Sequence, residues 1–528
     1  MRKTFALLSL ALLAGTARPQ PVDRDKLRQA AWMPKVSVMA GIGFNSADGF
    51  AMMGEKRDLK PEIAALRKQL KGGADDADRY FRLAELCDRD KDQKAAQEAY
   101  AKAAGLYREL LRAKPDNSRL LTRLAICLED NDPQKETLLR RAVAVGPKDW
   151  EAWIALGDHL QGKAITVLFG DPGGGRFKFS MEAWFAMLFQ KRPPPERIDK
   201  SLKLLDEAAG CFDKALATDP KSSDAWAHCG MARCWQGVMR GSFRILKGEK
   251  VNPLAEMFAP PHLAEFRRAA ELAPDDYRAV GWAAWYEAFS YALHNNLNLL
   301  GDDKRLWDAL PEKNRASVKA AMERLDRLAQ GGDKSAAAGS LELLGVLYVL
   351  VMKDMAAGET CYRRAIELAP DRDSAWEMLL AILAMQDRHE EIVKVAQAYV
   401  KQKDTAHSRY LLAKGHERLN QLDKAEEAVR AALKRDPDSP QATLGLAAIL
   451  LKRGDGPSLA EAAQTLDRAE QLVQKDGAAN YRIDYVVNRS IYLGLTGEAE
   501  TAKRLLAQVL EKDRQNEPAR KALKALER

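Results

Sequence analysis

The sequence predicts an all-α protein, a right-handed superhelical solenoid of about ten helix-turn-helix repeats. The first observation is a recurring motif: residues 362–371 read YRRAIELAPD, residues 429–438 read VRAALKRDPD, and their prolines lie 67 residues apart. That interval is close to twice the period of about 34 residues that stacked helical pairs show. The second observation is length, because 528 residues with 46% hydrophobic and 30% charged side chains exceed one compact core and favour a repeat array.

The amino-terminal end has the pattern of a secretion signal. Arg2 and Lys3 are basic, residues 5–14 form an apolar run too short for a stable bilayer anchor, and small residues at 15–17 offer a cleavage site. We therefore expect residues 1–17 to be a signal peptide and the mature chain to be exported, either periplasmic or secreted. The alternative interpretation is a buried N-terminal helix.

Charge and hydropathy argue against two classes of partner. The formal net charge is +8, and Lys and Arg interleave with Asp and Glu, so no basic cluster predicts nucleic-acid binding. After the signal, the most apolar stretch is Leu341–Met352, and its shortness and its Glu342 favour a core helix. The mature chain is therefore predicted to have no transmembrane segment.

The helical pairs follow a definite residue pattern. Residues 153–160 read WIALGDHL in a first helix, and residues 425–437 read AEEAVRAALKRDP in a second helix, with Ala425 and Ala432 seven apart and a closing proline. Small residues suit positions where helix axes approach closely, and proline disfavours helical geometry in the residue before it. In these features the chain resembles the tetratricopeptide repeat family. The resemblance implies stacked helical pairs whose inner groove binds protein segments.

The repeat phase divides the chain behind the signal peptide into five parts. An N-terminal extension covers 18–74, and the first repeats cover 75–162. Repeats with aromatic insertions cover 163–339, regular repeats cover 340–516, and a polar capping helix covers 517–528.

Three insertions, at 163–197, 238–260 and 294–312, interrupt consecutive repeats between their first and second helices. Because that turn always falls on the same edge of a stacked array, we expect the insertions to meet in one lobe. The lobe is rich in large apolar side chains: Trp184, Phe185, Phe189, Phe243, Phe258 and Trp307. It either covers the array as a small local core or forms a pocket or docking surface, as long loops often do.

No catalytic constellation emerges, and the chain is predicted not to be an enzyme and to carry no cofactor. The glycine-rich stretch 170–175 is followed by Arg176 and lacks the Gly-Lys-Ser/Thr of a phosphate-binding loop. The seven histidines show no spacing of three or four that would place two ligands on one helix face. No metal site is predicted.

The six cysteines do not form a disulfide framework in a chain of this length. If the helix ending near Ala217 folds back on the helix starting near Asp224, Cys211 and Cys229 come opposite each other. A bridge between these two is therefore compatible with the predicted geometry. The alternative is that both cysteines are small buried hydrophobic residues without a bridge.

The resemblance also implies contact positions, because in this family the groove is built mainly from the first helix of each pair. By phase, these positions include Glu151, Asp158, His407, Tyr410 and Lys414, which are predicted to bind a partner. Their charges have no common sign, and the alternative is an ordinary solvated surface.

These observations predict a noncatalytic protein-protein interaction scaffold of the bacterial cell envelope, with a peptide or protein partner and no nucleic acid. The alternative function is binding of a small molecule or glycan in the aromatic lobe.

Overall fold

The computed structural model describes residues 22–33, 59–71, 76–89, 92–169, 193–251, 256, 259–295, 297, 305–474, 481–514 and 516–527. Within these ranges the regular structure is helical, and the protein is an all-α tetratricopeptide-like solenoid. The helices are α1 (Arg24–Gln29), α2 (Lys60–Lys71), α3 (Ala77–Arg89), α4 (Gln93–Ala113), α5 (Ser118–Cys127), α6 (Pro133–Val145), α7 (Trp150–Phe169), α8 (Pro195–Thr218), α9 (Ser223–Leu246), α10 (Pro260–Leu272), α11 (Tyr277–His294), α12 (Leu306–Ala309), α13 (Glu312–Leu328), α14 (Lys334–Val346), α15 (Met355–Leu368), α16 (Asp373–Met385), α17 (His389–Gln402), α18 (Ala406–Arg418), α19 (Leu422–Arg435), α20 (Pro440–Arg453), α21 (Gly456–Val473), α22 (Arg482–Thr496), α23 (Ala499–Lys512) and α24 (Glu517–Leu526).

The chain divides into two compact units. The central unit comprises the described residues of 37–386, which hold α2 to α16. The C-terminal unit comprises the described residues of 387–528, which hold α17 to α24, together with those of 1–36, which hold α1. Each unit has its own buried apolar clusters.

One tryptophan hydrogen bond recurs at the start of the central repeats. The indole N–H donates to the carbonyl of the proline six residues earlier: Trp153 to Pro147 at 3.0 Å, Trp226 to Pro220 at 3.0 Å and Trp376 to Pro370 at 2.9 Å. The bond ties the first turn of one repeat to the end of the previous one. It gives the recurring spacing of proline and tryptophan within this chain a direct structural cause, since an indole ring with a satisfied N–H fixes the turn.

Small residues lie where neighbouring helices touch, as the motif predicted. A Cβ on Gly157 would lie 2.6 Å from the ring of Phe212, and a Cβ on Gly281 would lie 2.4 Å from Leu343. Both distances are shorter than a real contact allows, so a larger residue would push the helices apart.

Two of the predicted insertion boundaries are wrong. Helix α7 continues to Phe169 and α9 continues to Leu246, so residues 163–169 and 238–246 extend first helices instead of forming loops. The reason is burial: Ile165 and Leu168 keep the apolar helical spacing, and Ser201 of α8 donates to the carbonyl of Ala164 at 2.8 Å. The long helix α8 provides the matching surface.

Helix α14 continues as a π-helix over Leu347–Met352. In the described part of the chain, residues 334–352 are the one helix long and apolar enough to cross a membrane, and 78% of its apolar window is buried inside the protein. Glu342 within it is paired with buried Arg372, with Nε to Oε1 at 2.6 Å. This burial is typical of a core helix, as the sequence predicted.

Candidate functional site

The first helices of the C-terminal repeats, α18, α20, α22 and α24, pack side by side in that order. Helix α1 packs on α20, α22 and α24. We call residues 22–33 the N-terminal segment and the surface that they cover the α18–α24 groove. The segment comes from the other end of the chain, so the groove holds a peptide that is remote in sequence.

The segment buries its apolar side chains in the groove. Leu27 is fully buried, and Ala30, Ala31 and Met33 are each at most 3% exposed and belong to the core cluster of the unit. Burying one leucine or methionine side chain stabilises a contact by about 1.5–3 kcal/mol. Apolar burial is therefore the main force that holds the segment.

Glycines make room for these side chains. A Cβ on Gly494 of α22 would lie 2.7 Å from Leu27, and a Cβ on Gly445 of α20 would lie 3.0 Å from Met33. The first distance is too short for any real Cβ, so alanine at position 494 would force Leu27 to move. The groove is thus shaped for these two side chains.

Asn488 of α22 binds the backbone of Trp32 on both sides. The N–H of Trp32 donates to Oδ1 at 2.9 Å, and Nδ2 donates to the carbonyl of Trp32 at 2.8 Å. Asn488 is fully buried, and a buried amide without partners is costly. The segment therefore satisfies a polar group that the groove would otherwise bury unpaired.

Three groups of the segment bind the carboxyl ends of three helices. Arg24 Nη2 donates to the carbonyl of Leu495 at 2.6 Å, and Arg28 Nη1 donates to the carbonyl of Arg453 at 3.2 Å. The N–H of Asp23 donates to the carbonyl of Ala525 at 3.1 Å. Helix carboxyl ends carry unsatisfied carbonyls and partial negative charge, which favours cations there.

Two separate reasons require a glycine at position 454, directly after α20. Its φ of +67° lies in the left-handed region that glycine adopts without strain. A Cβ on it would also lie 2.1 Å from Cδ of Arg28. Glycine therefore lets the arginine stem reach the last carbonyl of α20.

Two cations lie over the ring of Trp32. The charged groups of Lys414 and Arg418 in α18 are 6.0 Å and 5.5 Å from the ring centroid. A cation at this distance is attracted by the face of an indole ring, by about 0.5–1 kcal/mol at exposed sites. The groove thus contacts the segment from α18 to α24.

Comparison with known proteins supports this architecture. Residues 338–372 and 410–478 match family models described as tetratricopeptide repeat. The chain contains tetratricopeptide repeats. The second match begins in α18 and continues through α19, α20 and α21, so it includes two helices of the groove, α18 and α20.

Several solved structures are similar to this tetratricopeptide repeat protein. Yeast Tom70 is 15% identical, with 89% of this chain and 91% of that chain covered and a TM-score of 0.39. MamA of Desulfovibrio magneticus RS-1 is 20% identical, with 34% and 99% covered and a TM-score of 0.26. YrrB, described as a tetratricopeptide protein with an unusual peptide-binding site, is 14% identical, with 38% and 99% covered and a TM-score of 0.28. No curated protein sequence matches the chain.

Of the predicted contact residues of this tetratricopeptide repeat protein, three lie on α18 of the C-terminal unit. Lys414 is half-buried and lies over Trp32, and His407 is half-buried two helical turns earlier. Tyr410 is only 1% exposed, its ring packs on Gly445, and burial raises the pKa of its hydroxyl well above the usual value. Tyr410 therefore supports the groove from inside the core, beside Met33.

The other two predicted contact residues lie on α7 of the central unit. Glu151 is exposed and lies 3.4 Å from Arg123 of α5, and Asp158 lies 2.9 Å from Nε2 of His228 of α9. Glu151 thus pairs with the preceding first helix of the array, and Asp158 pairs with the following one. This pairing explains why the contact positions have no common sign of charge.

The predicted aromatic lobe is only partly covered by the described residues. Phe243 lies in α9 and is 1% exposed, which corrects its assignment to a loop. Trp307 is half-buried in the short helix α12. Trp184, Phe185, Phe189 and Phe258 lie outside the described residues, and a pocket formed by them stays a prediction.

Cys211 and Cys229 belong to the same buried apolar cluster of the central unit, and each is a free thiol in the structure. Both are buried, and Cys229 Sγ lies 3.8 Å from the carbonyl of Phe212. Burial raises the pKa of the Cys211 thiol to about 11. A bridge between them stays a prediction. Among the described residues, no three His, Cys, Asp or Glu side chains are grouped to hold a metal ion.

Sequence analysis missed the N-terminal segment and Asn488. Two signals were available. Leu27, Ala30, Ala31 and Met33 form an apolar face at spacings of three and four. Asn488 stands next to Val487 in the buried phase of α22, where a polar side chain needs a partner.

Proposed function

We propose that this tetratricopeptide repeat protein is a noncatalytic interaction scaffold of a bacterial cell envelope, which binds a peptide or protein partner in the α18–α24 groove. The observation that carries the proposal is the groove itself, which holds a peptide segment through apolar burial, a backbone-binding amide and helix-end carbonyls. These are contacts that any peptide of suitable sequence makes. Repeat arrays bind extended or helical segments by adding such contacts over a large surface.

Export is the part of the proposal that rests on sequence alone. The basic residues Arg2 and Lys3, the apolar run 5–14 and the small residues 15–17 support cleavage after Ala17. The mature chain then begins at Arg18, four residues before the N-terminal segment. Amino-terminal sequencing of the protein from an envelope fraction is expected to begin at or near Arg18. A chain that keeps Met1 and fractionates with the cytoplasm would disprove this part.

Site-specific photo-crosslinking in the source organism tests the scaffold function. A photoreactive amino acid replaces His407 or Lys414 on α18, and matched controls replace the exposed residues Arg504 or Gln508 on the outer helix α23. The expected result is one discrete crosslinked partner from the α18 positions, identified by mass spectrometry, and none from α23. Equal crosslinking from both helices, or none from α18, contradicts binding in the groove.

A further inference from the structure

We propose that the α18–α24 groove selects peptides with two arginines four residues apart around a leucine, followed by small residues and a Trp-Met pair, and that the chain's own N-terminal segment fills it in cis. A partner with this chemistry then binds only by displacing residues 22–33. The proposal rests on the proposed function and names the chemistry of the partner.

The spacing of the two arginines matches the spacing of the helix ends that they bind. Residues four apart lie on the same face of a helix, so Arg24 and Arg28 of α1 point to one side. Their guanidinium groups bind the carboxyl ends of the neighbouring helices α22 and α20, at Leu495 and Arg453. A hydrogen bond from a charged donor contributes more to binding than a neutral one.

The groove selects the apolar side chains of the peptide by their size. Leu27 lies against Gly494 and belongs to the same core cluster as Leu526, while Met33 lies against Gly445. Because the two glycines leave room for these side chains and for little more, a β-branched or aromatic residue at the Leu27 position does not fit. Ala30 and Ala31, which lie between Leu27 and Met33 in sequence, are buried. These two positions therefore require small residues.

The groove contacts both the backbone and the ring of the residue at the Trp32 position. Asn488 forms both hydrogen bonds to the main chain, and these fix the register of the peptide without selecting a side chain. Selection of an aromatic residue comes from the cations of Lys414 and Arg418 over the ring. Together these contacts define one register for a bound peptide.

The segment has the features of a ligand that can leave. Helix α1 has six residues, too few to be stable without the groove, because isolated helices shorter than about 12 residues are marginal in water. It is joined to the rest of the chain through residues 34–58, and a tethered ligand acts at an effective concentration on the order of millimolar. A free peptide of the same sequence therefore competes at a large disadvantage while the tether is intact.

The test uses the full chain with a protease site inserted between Met33 and Leu59, so that cleavage turns the cis segment into a separate fragment. The probe is a fluorescein-labelled synthetic peptide of residues 22–33, and binding is followed by fluorescence anisotropy. Because cleavage removes the tether, we expect apparent affinity for the probe to rise by at least about tenfold. Equal affinity before and after cleavage, or no exchange of the fragment with excess probe within a day, overturns the proposal.

Variants of the probe test the chemistry without any risk to folding. Probes with Arg24→Ala or Arg28→Ala are each expected to bind the cleaved chain about tenfold more weakly, since each loses one charged hydrogen bond. A Leu27→Phe probe is expected not to bind. Probe variants that bind as well as the parent peptide refute the stated selectivity.

Substitutions in the groove complete the test. Asn488→Ala in the cleavable chain is expected to lose the fragment on gel filtration, while Gln508→Ala, an exposed amide on α23, retains it. Circular dichroism confirms that both variants keep their helices. If the probe fails to bind but photo-crosslinks still form from α18, the scaffold function stands and the selectivity proposed here is wrong.

Discussion

Asn488 and Trp32 are 456 residues apart in sequence, and they share two hydrogen bonds of 2.9 Å and 2.8 Å. A buried asparagine amide has both a donor and an acceptor to satisfy. The backbone of Trp32 offers one of each. The interior of the C-terminal repeats is therefore completed by a piece of chain from the other terminus.

Replacing Asn488 with alanine is expected to release the N-terminal segment. The variant loses both bonds and leaves the N–H and carbonyl of Trp32 without these partners, which costs about 1–3 kcal/mol. Hydrogen exchange measured by mass spectrometry is expected to accelerate in residues 22–33 and much less in α19. Unchanged exchange of the segment would show that Asn488 does not hold it, and Gln508→Ala is the control.

Gly494→Ala is expected to destabilise the C-terminal unit, because the new methyl group would lie 2.7 Å from side-chain atoms of both Leu27 and Leu526. The loss of unfolding free energy in urea is expected to be about 1–3 kcal/mol. Adding Leu27→Ala relieves part of the clash, so the two effects are expected to be non-additive. Gly210→Ala, in a helix with open space around the site, is the control and is expected to stabilise by up to about 1 kcal/mol.

Glu342→Gln is expected to be among the most damaging substitutions in the central unit. Glu342 accepts hydrogen bonds from Arg372 Nε at 2.6 Å, from Arg372 Nη2 at 3.1 Å and from Ser374 Oγ at 2.9 Å, and Arg372 is 1% exposed. Removing one charge of a buried pair costs about 3–5 kcal/mol, because the other charge stays buried without compensation.

Thermal and urea unfolding of Glu342→Gln are to be compared with Glu367→Gln, which changes an exposed residue of α15. The double variant Glu342→Leu with Arg372→Met removes both charges together and is expected to recover most of the loss. A single variant as stable as the control would show that the pair contributes nothing.

Stability of the central unit is expected to fall as pH rises through neutrality. Burial raises the pKa of Glu265 to about 7 from 4.5, although Arg233 beside it acts in the opposite direction. A raised folded pKa means that the folded state binds more protons than the unfolded chain between these values. This contribution to stability is complete below pH 4.5 and is lost as pH rises through 7.

His262, on the same helix as Glu265, has the opposite effect on stability: its contribution is lost as pH falls. Burial lowers its pKa to about 4 from 6.5, so its contribution is present above pH 6.5 and is lost as pH falls through 4. Between pH 6.5 and 7.5 Glu265 therefore acts alone of the two. Urea unfolding across this range is expected to show a slope of at most about 1.4 kcal/mol per pH unit, absent in Glu265→Gln and kept in the exposed-site control Glu271→Gln.

The thiols of Cys211 and Cys229 are expected to react slowly with iodoacetamide at pH 7.5. Both are buried, and burial raises the pKa of each thiol, that of Cys211 to about 11; the thiolate is the reactive form. Mass spectrometry of tryptic peptides after labelling is the measurement, with urea-unfolded protein as the reactive reference. The same digest, made without reductant, would reveal a Cys211–Cys229 crosslinked peptide if the bridge forms.

The repeat architecture could be predicted because its determinants are local. The spacing of Trp153, Gly157 and the closing prolines repeats with the period of one helical pair, and each residue acts on its nearest neighbours, as the Trp153–Pro147 bond does. The ends of α7 and α9 were predicted wrongly because their last turns are stabilised by tertiary burial, as at Leu168 and Phe243. No local pattern encodes the length of the partner helix that covers them.

The amino-acid sequence by itself determined the helical pairs, their stacking and the small residues at their contacts, since these depend on side chains one repeat apart. Only the tertiary structure decided what fills the α18–α24 groove. Leu27, Trp32 and Asn488 carry no periodic signal that joins them, and each is explained only when the two ends of the chain meet. Apolar burial and the need to satisfy a buried amide then act between residues that the sequence places hundreds of positions apart.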